Sequence, residues 1–190
     1  MNATLATSLW PAARSNWMLQ VLLAVAGSIL LAVSAQVQIP VQPVPFTLQT
    51  IALLLIGAAY GPWLGVATVL LYIAEGLFLP VFQGFQTIWQ VYYTAGYLVG
   101  FPIAAFVAGW FTQNNRSLGY VHALLVTLVT FLAADAIVFV LGYGWLASLI
   151  GGEKAWAGGV APFLLWDALK IGIAALVTTA AWRTVSNSPA

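Results

Sequence analysis

Apolar stretches long enough to cross a bilayer fill most of this chain, and they fix the solvent it folds in. At ~17–25 residues per crossing, the sequence reads as spans near 17–35, 47–60, 63–80, 92–111, 120–142 and 161–182. Hydrocarbon offers no water to an unpaired backbone group, so such runs must fold as helices. The expected fold class is an all-α membrane protein, a bundle of six transmembrane helices. Residues 1–190 then form a single integral membrane domain, with 1–16 as a cytoplasmic N-terminal segment.

Composition agrees and excludes whole classes of function. The chain is 63% hydrophobic and 5% charged, against about 25% charge in a soluble domain. A net charge of +1 leaves no basic surface to neutralise a row of phosphates, so no nucleic acid is expected as a partner. With no cysteine, disulfides, thiolate nucleophiles, Cys-zinc sites and iron–sulfur clusters are excluded together. His122 has no second histidine near it, so no metal and no cofactor are expected. No nucleophile stands beside a base, which argues against an enzyme.

The first stretch ends Val33-Ser34-Ala35-Gln36, which would serve as a signal-peptidase site. Its apolar run of about 17 residues is longer than the usual ~7–15 of a signal core, so a retained helix is expected. The ladder Ala24, Ser28, Ala32 also suits helix packing. After it, Pro40, Pro43 and Pro45 fix φ and remove donors, predicting an extended loop. The second span is short, about 21 Å against a core of ~30 Å, and needs shielding by its neighbours. Gly61-Pro62 makes the turn into the third span, and Gly57, Gly65, Gly96 and Gly100 permit close helix contact. Arg14, Arg116 and Arg183 fall on one side of this topology and Lys154 on the other, which places the N-terminus inside.

Asp167 and Lys170 sit within the last apolar stretch. A charge there costs ~2.5–3.5 kcal/mol on insertion scales, so the pair is a functional-site hypothesis by default. Spacing i, i+3 puts both on one helix face. Desolvation opposes either charge alone, while a pair can keep both ionised. The competing reading is a helix-stabilising ion pair, which alanine at either position without effect on binding would establish.

The chain resembles the BioY family, the substrate-binding S components of biotin energy-coupling-factor transporters. The resemblance begins at Pro43-Val-Pro45-Phe-Thr47-Leu-Gln49-Thr50 and continues through Gly57, Gly61-Pro62-Trp-Leu-Gly65, Leu71-Tyr72 and Leu79-Pro80-Val-Phe82. It resumes at Gly96-Tyr97-Leu-Val-Gly100-Phe101 and ends with Pro162-Phe163-Leu-Leu-Trp-Asp167-Ala-Leu-Lys170. The resemblance implies an S-component-like bundle in a prokaryotic cell membrane, multi-pass, with both termini cytoplasmic. It further implies biotin capture from outside and docking onto a transmembrane coupling subunit driven by ATP-binding cassette ATPases. Asp167 and Lys170 take the positions of the family's biotin contacts. Ala24, Ser28 and Ala32 take those of its coupling-subunit contact, and the proline loop takes that of its lid. Where the family has a glycine-rich run and a Gly-Pro-Thr-Gly-Gly-Tyr stretch, this chain reads Gln83-Gly-Phe-Gln-Thr-Ile-Trp-Gln90 and Tyr92-Tyr93-Thr94-Ala95-Gly96-Tyr97.

Biotin's ureido ring carries two N–H donors for a carboxylate and a carbonyl for an ammonium, so the ring is expected to face Asp167 and Lys170, with the valerate tail outward. Around the pair, Gln49 and Thr47 are expected either to line the pocket or to cap the second span. Tyr97 and the rim aromatics Phe82, Phe85, Trp89 and Tyr93 could pack on the ligand or form an interfacial belt, with the belt favoured for Trp89. Gln83 is a further candidate for a ligand hydrogen bond. Asp135, in the fifth span, has no assigned role, and Glu75 is read as solvated near the outer end of the third. Two other functions compete with this one: an S component for another small vitamin, and a small channel, since Leu141-Gly142-Tyr143-Gly144 resembles a potassium filter. That tetrapeptide is instead read as a helix-ending turn. No Gly-rich Lys-Ser/Thr loop is present, so transport needs an energising partner.

Overall fold

In a computed structural model, residues 4–113 and 115–187 are described. Among them are α1 (Leu5–Leu9), α2 (Trp17–Gln36), α3 (Gln49–Tyr60), α4 (Pro62–Glu75), α5 (Ala95–Thr112), α6 (Tyr120–Ile150), α7 (Gly152–Gly159) and α8 (Leu164–Asn187). Among the described residues, four helical segments are long and apolar enough to cross a membrane: Trp17–Gln36, Tyr92–Thr112, Tyr120–Ile150 and Leu164–Val185. The shorter apolar helices α3 and α4 lie among them.

Asn16 starts α2, its side-chain oxygen accepting from the N–H groups of Met18 and Leu19 at 3.0 and 3.3 Å, which satisfies two of the orphan donors of the first turn. Between α2 and α3 the proline segment is extended, as its composition predicts. It also pairs with itself: β1 (Gln38–Ile39) runs antiparallel to β2 (Phe46–Thr47), with Gln38 opposite Thr47. Helix α3 is shielded by its neighbours, with Leu53, Leu54 and Ile56 buried. Close approach supplies that shield. A Cβ on Gly57 would stand 2.7 Å from the Ala105 carbonyl, and one on Gly65 3.2 Å from the Gly57 Cα. Gly61 makes the turn from α3 to α4 at φ +81°, a conformation that glycine adopts without penalty.

Two elements differ from the sequence reading. Helix α4 ends at Glu75, short of the expected 80, and Gly76, having no side chain, leaves room for the Phe82 ring against the helix end. The chain there doubles back, the Ile88 N–H donating to the Gly76 carbonyl at 2.8 Å. Helix α6 runs on to Ile150, so Leu141-Gly142-Tyr143-Gly144 is neither a filter nor a helix-ending turn. Gly142 lies inside the helix because the Tyr97 ring packs where its Cβ would be. The stop comes at Gly151, φ +85°, and the stretch between the expected fifth and sixth spans is largely helix, the end of α6 followed by α7.

Candidate functional site

Helix α8 buries a stripe at helical spacing, Asp167, Lys170, Ile171, Ala174 and Ala175, and Phe163 is buried in the turn just before it. The N-terminal end of that stripe is polar. Asp167 and Lys170, 3% and 9% exposed, form an ion pair with each other. The ammonium also donates to the Thr47 carbonyl at 3.1 Å, which ties α8 to the second strand of the proline ribbon. Lys170 therefore spends two of its three donors on protein and keeps one.

Thr47 and Gln49 bond to each other just ahead of α3, whose N-cap, Leu48, makes no side-chain cap bond. The Gln49 N–H donates to the Thr47 hydroxyl at 3.3 Å, and that hydroxyl donates to Gln49 Oε1 at 3.2 Å. Gln49 Nε2 donates to the Tyr72 hydroxyl at 2.9 Å, and Tyr72 to the Val81 carbonyl at 3.2 Å. This relay fixes the Gln49 amide and leaves it one N–H.

These groups open onto one chamber, about 560 Å³ when the open space at its mouth is counted. Its apolar walls are Val44, Pro45, Leu98, Phe101, Val138, Phe139 and Phe163, and its polar lining includes Thr47, Gln49, Thr50, Gln83, Thr94, Asp135, Asp167 and Lys170. Tyr97 belongs to the same wall, its hydroxyl donating to the Gly159 carbonyl at 2.8 Å. Phe163 stacks on Phe46 of the ribbon, centroids 4.1 Å apart, and meets Phe139 edge-on at 6.2 Å. Gln83 is held in place by donating from Nε2 to the Thr94 hydroxyl at 3.1 Å.

The structure thus brings Asp167, Lys170, Gln49, Thr47, Tyr97 and Gln83 to one cavity. It leaves out the rim aromatics. Phe82 is buried edge-on against Tyr72 at 5.1 Å, while Phe85, Trp89 and Tyr93 are exposed and line no part of the chamber. Phe101, Phe139 and Phe163, which sequence reasoning missed, take the wall role. Phe163 and Asp167 are four residues apart, as are Asp135 and Phe139, so helical spacing from the acidic residues pointed to both.

The ladder Ala24, Ser28, Ala32 faces inward in this structure. Ser28 is fully buried and its hydroxyl donates to the Val25 carbonyl at 2.9 Å and to Glu75 Oε1 at 3.0 Å. Glu75 is accordingly a partner of α2 and not a solvated end residue. The exposed face of α2 carries Val21, Leu22, Ile29 and Val33 instead.

The protein-family model described as the BioY family matches residues 5–187. A biotin transporter BioY of Thermotoga maritima is 37% identical over 155 residues, covering 78% of this chain and 86% of that protein. A probable biotin transporter BioY of Pyrococcus horikoshii is 36% identical over 151 residues, with the same two shares of 78% and 86%. In fold, the chain is similar to a crystal structure of the S-component for biotin from an ECF-type ABC transporter: TM-score 0.73, 19% identity, 86% of this chain and 90% of that one. A match over nearly the whole length, with relatives above 30% identity on most of theirs, answers the question of descent: the chain belongs to the BioY family.

Proposed function

We propose that this protein binds biotin in the α8 chamber and serves as the biotin-specific S component of an energy-coupling-factor transporter. The observation that carries the reading is the Asp167–Lys170 pair, buried but opening onto an aromatic-walled cavity in a chain of a biotin-transporter family. The free N–H of Lys170 suits the ureido carbonyl, and Asp167 suits a ureido N–H. Phe163, Phe139 and Tyr97 pack on the fused rings, and the valerate leads out past Gln83 and the ribbon.

Six helices, α2 to α6 and α8, make up the proposed membrane bundle. Arg14, Arg116 and Arg183 lie at the helix ends opposite Lys154, so the positive-inside rule puts both termini in the cytoplasm and the chamber toward the outer face. The side chain of Arg116 lies outside the described residues. The β1–β2 ribbon, fastened by the Lys170–Thr47 bond and the Phe46–Phe163 stack, acts as the lid. Lacking a nucleotide-binding loop, the chain delivers its cargo through a coupling subunit and paired ATPases.

Calorimetry on the purified protein with biotin, and with riboflavin as a second vitamin, tests the assignment. Saturable binding of biotin alone is expected. Absence of biotin binding, or binding of riboflavin in its place, would overturn it.

A further inference from the structure

Asp135 sits at the midpoint of the 31-residue helix α6, in a stripe otherwise made of Phe131, Ala134, Val138 and Gly142. An acidic side chain at that place is costly unless something there uses it. It is 8% exposed, and the space it reaches is the chamber. Among the described residues it makes no hydrogen bond and no ion pair. Asp167 and Lys170 are within electrostatic reach of it, so the chamber presents two carboxylates and one ammonium.

That set matches a cyclic urea better than a single pair does. In the ring the carbonyl points away from the fused bicycle and the two N–H bonds point to either side. One donor for the carbonyl and one acceptor for each N–H therefore complete its hydrogen bonding, and a carboxylate accepts only where an N–H is offered. With Asp135 excluded, the second N–H would be left to the neutral amide and hydroxyl oxygens of Gln83, Thr50 and Thr94, which accept less strongly than a carboxylate. We infer that Asp135 is a third ligand contact, accepting the second ureido N–H while Asp167 accepts the first and Lys170 donates to the carbonyl.

The inference rests on the biotin reading above, and it reaches further: the site should discriminate on both ureido nitrogens. The test is equilibrium binding of biotin and of its two ureido N-methyl isomers to wild type, Asp135→Asn and Asp135→Ala. Wild type should lose about ten- to a hundredfold with either isomer. Asp135→Ala should weaken biotin by a similar factor and lose its discrimination against one isomer only, with Asp135→Asn in between. If Asp135→Ala does not fold, wild type alone decides: an isomer that binds like biotin shows a nitrogen with no acceptor and overturns the inference. So does a loss in Asp135→Ala that is the same for all three ligands, the mark of a structural role. Biotin bound equally by wild type and Asp135→Asn, but not by Asp167→Asn, would also remove Asp135 from the site while leaving the biotin reading in place. No binding of biotin to wild type would remove both.

Discussion

Replacing Lys170 with methionine separates the stability of the buried pair from its use in binding. Methionine keeps an unbranched stem, one atom shorter, and removes its charge. In the variant, the Asp167 carboxylate, 3% exposed, loses its counter-ion, and the Thr47 carbonyl loses the donor now 3.1 Å away. Breaking one half of a buried ion pair costs about 3–5 kcal/mol. Thermal unfolding in detergent should show the variant clearly less stable than wild type. Biotin should also bind more weakly, because a hydrogen bond from a charged donor is worth about 1.5–3 kcal/mol, or roughly ten- to 150-fold in Kd.

The double variant Asp167→Asn/Lys170→Met removes both charges. It should recover most of the lost stability, since a buried pair replaced as a unit is often neutral, yet it should not recover binding. Two results would refute this reasoning. One is a Lys170→Met protein that unfolds with wild type, which would mean the pair is not desolvated. The other is a double variant with wild-type affinity for biotin, which would make the pair purely structural.

Other expectations follow from single contacts. Phe163→Ala removes the 4.1 Å stack on Phe46, worth about 0.5–1.5 kcal/mol, so stopped-flow should find biotin leaving a few-fold faster as the ribbon loosens. Tyr97→Phe leaves the buried Gly159 carbonyl without its donor, and about 1–3 kcal/mol of stability should go with it while biotin affinity changes little. Gly142→Ala drives a methyl into the Tyr97 ring, and a loss of about 1–3 kcal/mol should accompany weaker binding, whereas Gly144→Ala, with open space around it, should behave as wild type. Ser28→Ala strips Glu75 of its donor and should lower the unfolding midpoint without altering biotin affinity.

How far the sequence could be read depended on contrast. Asp167 and Lys170 stood out because everything near them is apolar, and their spacing put them on the same face. The short α3 and the proline ribbon were legible for similar reasons, one from length and the other from fixed φ. Walls were harder. In a membrane helix the side facing lipid is as apolar as the side facing the core, so exposed Val99 and Ile103 look no different in sequence from buried Leu98 and Phe101. The same absence of contrast hid which side of α2 carries Ser28 inward. The helical setting of Gly142 goes with the Tyr97 ring packed against it, a contact across 45 residues of chain that no local signal reveals. Asp135 was visible as an anomaly, but its distance from Asp167 in sequence concealed that the two share a chamber.

The central claim is that the chamber grips biotin by its ureido head and leaves the carboxylate at the mouth. Comparing the Kd of wild type for biotin and for its tail amide tests it most directly. Near-equal affinities are expected, because neither carboxylate of the chamber nor Lys170 is spent on the tail. A loss of about a hundredfold or more on amidation, the size expected for a charge-assisted hydrogen bond, would mean that Lys170 holds the carboxylate and that the ligand lies the other way round.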